Sequence, residues 1–148
     1  MESLMPSVTI TQTDAYKFTV DFGQALPALL VDEAEPIGRG EGPSPEQMLV
    51  TGVANCLCAS LFFALTKFGQ DAKGISAVGR CIVDRNEAGR LRVQGIEVRI
   101  GLGAEASALP KVDRVISQFE NFCTVSESVK AGIPVTVEIV DGGGARLK

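Results

Sequence analysis

Between Glu46 and Lys67 this chain carries no charged residue. Ser44-Pro45-Glu46-Gln47 stands at the head of that stretch and Gly69 just beyond it. Ser44 reads as an N-cap, Pro45 as the first helical residue, where a missing N–H costs nothing, and Gln47 as the return partner of a capping box. Gly69 reads as the C-terminal stop. The spacing predicts one helix from residue 45 to about residue 68. A helix so long and so poor in charge belongs either in a membrane or at the centre of a soluble assembly. Thr51, Gly52, Asn55 and Ser60 interrupt the apolar run, and amphipathic strands surround it, so the soluble reading is preferred. A chain of 148 residues has few other elements with which to surround such a helix. The expectation is a dimer that buries it between subunits, with no membrane partner.

The flanking segments follow period two. Tyr16-Lys17-Phe18-Thr19-Val20-Asp21-Phe22 alternates apolar and polar residues, which marks a half-buried strand. A shorter alternation begins at Val8, with a hairpin gap at Asp14-Ala15, and a third strand is read over 28–31. Gly and Pro make 35–43 a loop. Strands are expected over 75–84 and 91–102, joined by the turn Asn86-Glu87-Ala88-Gly89. In the second of them, Ile96, Val98, Ile100 and Leu102 alternate with Glu97, Arg99 and Gly101, so one face is wet. Val112, Val115, Ile116 and Phe119 fall at helical spacing. Thr124-Val125-Ser126-Glu127 reads as a capping box that restarts a short helix. Val135, Val137 and Ile139 form a last strand, and Asp141-Gly142-Gly143-Gly144 is expected to begin a flexible tail. The order βββ-α-ββ-α-α-β gives an α+β fold in a single domain, residues 1–148.

Composition removes several function classes. There is no histidine, which eliminates Ser-His-Asp and Cys-His nucleophile systems and every His-containing metal site. A net charge of −4 and the absence of Trp argue against a nucleic-acid partner. Met1-Glu2-Ser3-Leu4-Met5-Pro6 has neither a basic region nor an apolar one of the secretory kind. The expectation is therefore a cytoplasmic protein whose four cysteines are kept reduced.

Cys56 and Cys58 fall on the long helix, pointing to nearly opposite sides at about 100° per residue. No two pairs of cysteines have the spacing of an all-cysteine zinc site, and no metal or organic cofactor is expected. Cys58 and Cys81 read as small core hydrophobes. Cys123 directly precedes the Thr124 capping box, where unpaired N–H groups and the helix dipole would favour a thiolate. Cys56, in mid-helix, has no such help and would need a nearby positive charge to act as a nucleophile.

Three segments together resemble the OsmC/Ohr family. Gly42-Pro43-Ser44-Pro45-Glu46-Gln47-Met48-Leu49 is similar to the family's helix start. Gly52-Val53-Ala54-Asn55-Cys56-Leu57 is similar to the small-residue run that ends in its reactive cysteine. Asn121-Phe122-Cys123-Thr124-Val125-Ser126 is similar to the segment that carries its second cysteine. The resemblance implies an intertwined homodimer with both long helices at the centre and antiparallel sheets outside. It implies that Cys56 attacks an organic hydroperoxide, that Cys123 resolves the resulting sulfenic acid as a disulfide, and that a lipoyl-type dithiol resets the pair. Glu46 matches the family's catalytic glutamate. It lies about 15 Å from Cys56 along the same helix, so cooperation between them requires the partner subunit. The family's arginine has no direct match, since no Arg precedes Arg39. Arg39 stands in the corresponding loop, closer to Glu46 than the family spacing, and is the candidate for the positive charge on Cys56.

The leading expectation is thus a thiol peroxidase acting on organic hydroperoxides, with Cys56, Cys123, Glu46 and Arg39 as its site. The alternative is a non-catalytic ligand-binding or redox-sensing dimer on the same scaffold. A third is a structural dimer with inert thiols.

Overall fold

In the computed structural model of the chain, which describes residues 3–148, the first alternating segment turns back on itself at Ala15 (φ 52°). Strands β1 (Thr9–Asp14) and β2 (Lys17–Asp21) pair there as an antiparallel hairpin, and β3 (Leu29–Val31) adds antiparallel to β2. The rest of the chain follows as α1 (Pro45–Lys67), β4 (Ile75–Arg85), β5 (Leu91–Leu102), α2 (Val112–Gln118), α3 (Thr124–Val129) and β6 (Val135–Val140). The fold is α+β, in the expected order of elements. Two compact units are distinguished, one up to Met48 and the other from Leu49 to Lys148.

Both ends of α1 are built as its sequence requires. Ser44 N–H donates to Gln47 Oε1 at 2.9 Å, and Gln47 N–H donates to Ser44 Oγ at 3.2 Å. This reciprocal pair satisfies two of the donors that every helix start leaves open. At the other end Gly69 takes φ +68°. Its N–H donates to Thr66 O, and Gln70 N–H donates back to Leu65 O at 2.8 Å, which closes off the last carbonyls.

In the second unit β5 is the central strand, antiparallel to β4 and parallel to β6. Its Ile96, Val98, Ile100 and Leu102 are buried while Glu97 and Arg99 are exposed, as the alternation predicts. Onto the buried face pack Val53, Leu57, Leu61 and Leu65 of α1, and Val112, Val115 and Phe119 at α2. These α1 positions recur at four-residue steps, so they form one stripe. The helix lies close against the sheet at Gly79, where a Cβ would lie 2.7 Å from Val50 Cγ2. The opposite side of α1 is bare. Phe62 and Phe63 are 63% and 60% exposed, and Asn55, Ala59 and Gly52 are open beside them.

Two expectations are corrected. The N-cap of α3 is Cys123, in extended conformation (φ −85°, ψ 97°), and not Thr124, which is already the first helical residue. Glu127 does not reach back to close a box, because its carboxylate binds Lys130 Nζ at 2.8 Å. Nor does a flexible tail begin at Asp141. Its buried carboxylate accepts N–H bonds from Ala106, Gly143 and Ala145 at 2.8, 3.0 and 2.8 Å, and Leu147 N–H returns to Ile139 O at 2.8 Å.

Candidate redox site

The turn ahead of α3 delivers Cys123 to α1. A Cβ on Gly52 would touch Val125 Cγ1 at 4.0 Å, and Cys56 lies one turn further along that face of α1. There the Cys56 and Cys123 side chains are hydrogen-bonding neighbours. Both are free thiols, and they differ in access: Cys56 is half-buried, Cys123 fully so at 0% exposure. Asn55 and Ala59, next to Cys56 on α1, are exposed. Of the two sulfurs Cys56 is thus the more accessible, with Cys123 behind it.

Burial pushes the Cys123 thiol above its ordinary pKa, and the adjacent Cys56 adds to this. The hydroxyl and N–H of Ser126 pull in the other direction and do not win. The expectation that the helix start lowers the Cys123 pKa is thus corrected. The helix is only 6 residues long, and desolvation of a thiolate outweighs so small a dipole. The Ser126 hydroxyl is itself wholly buried and has no well-directed hydrogen bond.

The remaining cysteines are placed elsewhere. Cys58, two residues past Cys56, is turned toward the core, and burial raises its pKa. Cys81 lies on β4, also half-buried against the core. Among the described residues no group of three or more His, Cys, Asp or Glu side chains could hold a metal ion.

Arg39 and Glu46 belong to the first unit, the cysteine pair to the second. Glu46 stands half-buried in the first turn of α1. The Arg39 guanidinium, 61% exposed, donates to Asp14 Oδ2 at 3.3 Å. Its backbone is held from below by Asp32, a residue that pattern reading does not single out. The Asp32 carboxylate accepts N–H bonds from Glu33 at 2.8 Å and from Arg39 and Glu41 at 3.2 Å each. Burial would raise the Asp32 pKa, but these donors and nearby Lys17 hold it below the usual value. An Asp just ahead of a Gly-rich loop is the sequence signal for such an anchor.

Chemically, two reduced thiols in contact, one reachable and one sheltered, can cycle between dithiol and disulfide. A family model described as OsmC-like protein matches residues 38–138, and the chain belongs to that family. No curated protein matches it. Among solved structures it is similar to an OsmC-like protein of unknown function from Vibrio cholerae, with TM-score 0.78 and 15% identity over 93% of this chain and 100% of that one. It is also similar to an organic hydroperoxide resistance protein from Elizabethkingia anophelis, with TM-score 0.74 and 14% identity over 95% and 99% of the two chains. A third is the organic hydroperoxide resistance protein OhrB of Bacillus subtilis, with TM-score 0.70 and 18% identity over 92% and 98%. At such identities the likeness is one of fold.

Proposed function

We propose that this protein is a cytoplasmic, cysteine-based thiol peroxidase that reduces organic hydroperoxides. The observation that carries the reading is the contact between the half-buried Cys56 and the sheltered Cys123. Two of the structural relatives are named for organic hydroperoxide resistance, which supports the same chemistry.

In this reading the Cys56 thiolate attacks one peroxide oxygen. The terminal oxygen goes to sulfur as the O–O bond breaks, the alkoxide takes up the proton that the Cys56 thiol had lost and leaves as the alcohol, and Cys56 becomes a sulfenic acid. The Cys123 thiol then attacks the Cys56 sulfur, water departs, and the disulfide closes. A dithiol of the lipoyl type reduces it by two successive exchanges and leaves as its own cyclic disulfide. Arg39 supplies the positive charge that holds the Cys56 thiolate and orients the peroxide. Its exposed pair with Asp14 is cheap to exchange, at about 0–1 kcal/mol. Glu46 acts from the partner subunit of a homodimer, because one continuous helix separates it from Cys56 of its own chain by about 15 Å.

The test is peptide mass spectrometry after one equivalent of cumene hydroperoxide, followed by turnover with dihydrolipoamide. A rapid Cys56–Cys123 disulfide in the wild type, a trapped sulfenic acid on Cys56 in Cys123→Ser, and repeated turnover are expected. Arg39→Ala should slow the first step at least tenfold, and an unchanged rate would remove Arg39 from the site. Unmodified thiols, or a disulfide that forms only over hours without turnover, would sink the peroxidase and leave the ligand-binding or redox-sensing reading.

A further inference from the structure

Three serines lie in α2 and α3, and two behave as helical serines do. Ser117 Oγ donates to Arg114 O and Ser128 Oγ to Thr124 O, each at 2.8 Å. Such back-bonding to the preceding turn is the ordinary refuge of a serine hydroxyl. Ser126 is the exception. It occupies the third position of α3, is 0% exposed, and its hydroxyl makes no directed bond to any carbonyl. The Cys123 carbonyl, within the same turn, is already taken by Glu127 N–H at 3.0 Å. A buried hydroxyl without a partner costs about as much as a lost hydrogen bond, so a role for it is to be sought. What it faces is the sulfur of the N-cap residue, Cys123, whose side chain it neighbours across the first turn of the helix.

We propose that Ser126 is a positioning residue for the second half of the cycle, its buried hydroxyl turning to donate a hydrogen bond to the Cys123 sulfur whenever that sulfur is anionic. The inference rests on the peroxidase reading and names a device within the same site. In the closing step the Cys123 thiolate attacks the Cys56 sulfenic acid. The S–S bond forms, hydroxide leaves and takes up the proton that the thiol had lost, and one water is released. In the reducing step a dithiol sulfur attacks Cys56, the S–S bond breaks, and its electron pair goes to Cys123 as a thiolate. Ser126 receives that leaving group in a pocket from which water is excluded. The dithiol's second thiol then attacks the mixed disulfide and displaces Cys56 as a thiolate, so that the dithiol is oxidised by two electrons and the protein disulfide reduced by two. The hydroxyl stays unpaired in the resting dithiol because the protonated Cys123 is a weak acceptor, and its bond strengthens when charge appears.

The experiment compares full-length wild type, Ser126→Ala and Ser126→Thr. After one equivalent of cumene hydroperoxide, acid-quenched mass spectrometry follows the Cys56 sulfenic acid and the disulfide separately, between pH 6 and 9. In Ser126→Ala the sulfenic acid should form at the wild-type rate, while disulfide closure slows about tenfold, the size of one hydrogen bond to a charged group. The pH midpoint of closure should rise by about one unit, and Ser126→Thr should restore both. The melting temperature of Ser126→Ala should match or exceed that of the wild type, since a hydroxyl without a partner has been removed. A structural role would instead lower it. Closure with unchanged rate and midpoint would overturn the proposal. A second measurement is independent of peroxide: in a Cys56→Ser background, the pH midpoint for iodoacetamide labelling of Cys123 should rise in Ser126→Ala, and a fixed midpoint would equally overturn it. If wild type forms no sulfenic acid yet this midpoint rises, the peroxidase reading fails and the Ser126 contact stands.

Discussion

At Gly79 α1 lies close against the sheet. A methyl group there would meet Val50 Cγ2 at 2.7 Å and Ala54 Cβ at 3.5 Å, inside contact distance for the first. Gly79→Ala should therefore destabilise the protein by about 1–3 kcal/mol through overpacking. Adding Val50→Ala should recover part of that loss, because the two sites share one contact. Urea unfolding of the single and double variants measures both, and additive losses would place the strain elsewhere. At this scale the sequence reveals the chemistry-bearing residues more readily than their partners. Cys56 and Cys123 are legible as a pair through the family resemblance. Ser126 is not, because its role lies in which groups face its hydroxyl. A Ser in a short helix reads the same whether it back-bonds, as Ser128 does, or faces a thiol. The rise in the Cys123 pKa is hidden for the same reason: it is set by depth, and depth is a property of the packed chain.

Elements are the most legible level, since their signals are local. The Ser44–Gln47 box, the stop at Gly69, and the alternation along β5 are each read within a few residues and formed as read. The misreadings are local too. Thr124 resembles a cap, but the residue before it already has the extended backbone of one, and Lys130 draws Glu127 away. The polar glycine run after β6 resembles a loose end, but one buried carboxylate gathers it. For α1, one stripe is packed while Phe62 and Phe63 stand open on another side. In the proposed homodimer that open side is the subunit contact. Sedimentation should find the wild type dimeric, and Phe62→Glu with Phe63→Glu should yield monomers with at least tenfold lower peroxidase activity, Glu46 of the partner being lost. A wild type that is monomeric and fully active would overturn both the dimer and the role of Glu46.

For the molecule as a whole, the positions of the two cysteines along the chain matter as much as their contact. Cys56 lies inside α1 and Cys123 just ahead of α3, so β4, β5 and α2 all fall between them. Joining the two sulfurs would thread this segment into a covalent ring of about 70 residues. In the chain-entropy model such a ring removes about 4 kcal/mol of freedom from the unfolded state. Strain in the folded state subtracts from that figure. The oxidised protein should then melt higher than the reduced one, by an amount on the order of 10 °C, and calorimetry of the two forms, with Cys123→Ser as control, would show it. The chain would be hardest to unfold or digest during an oxidant burst, when surrounding proteins are being damaged. In the proposed peroxidase cycle each reductive reset would return it to a looser form, so its lifetime in the cell would register the flux of peroxide through it.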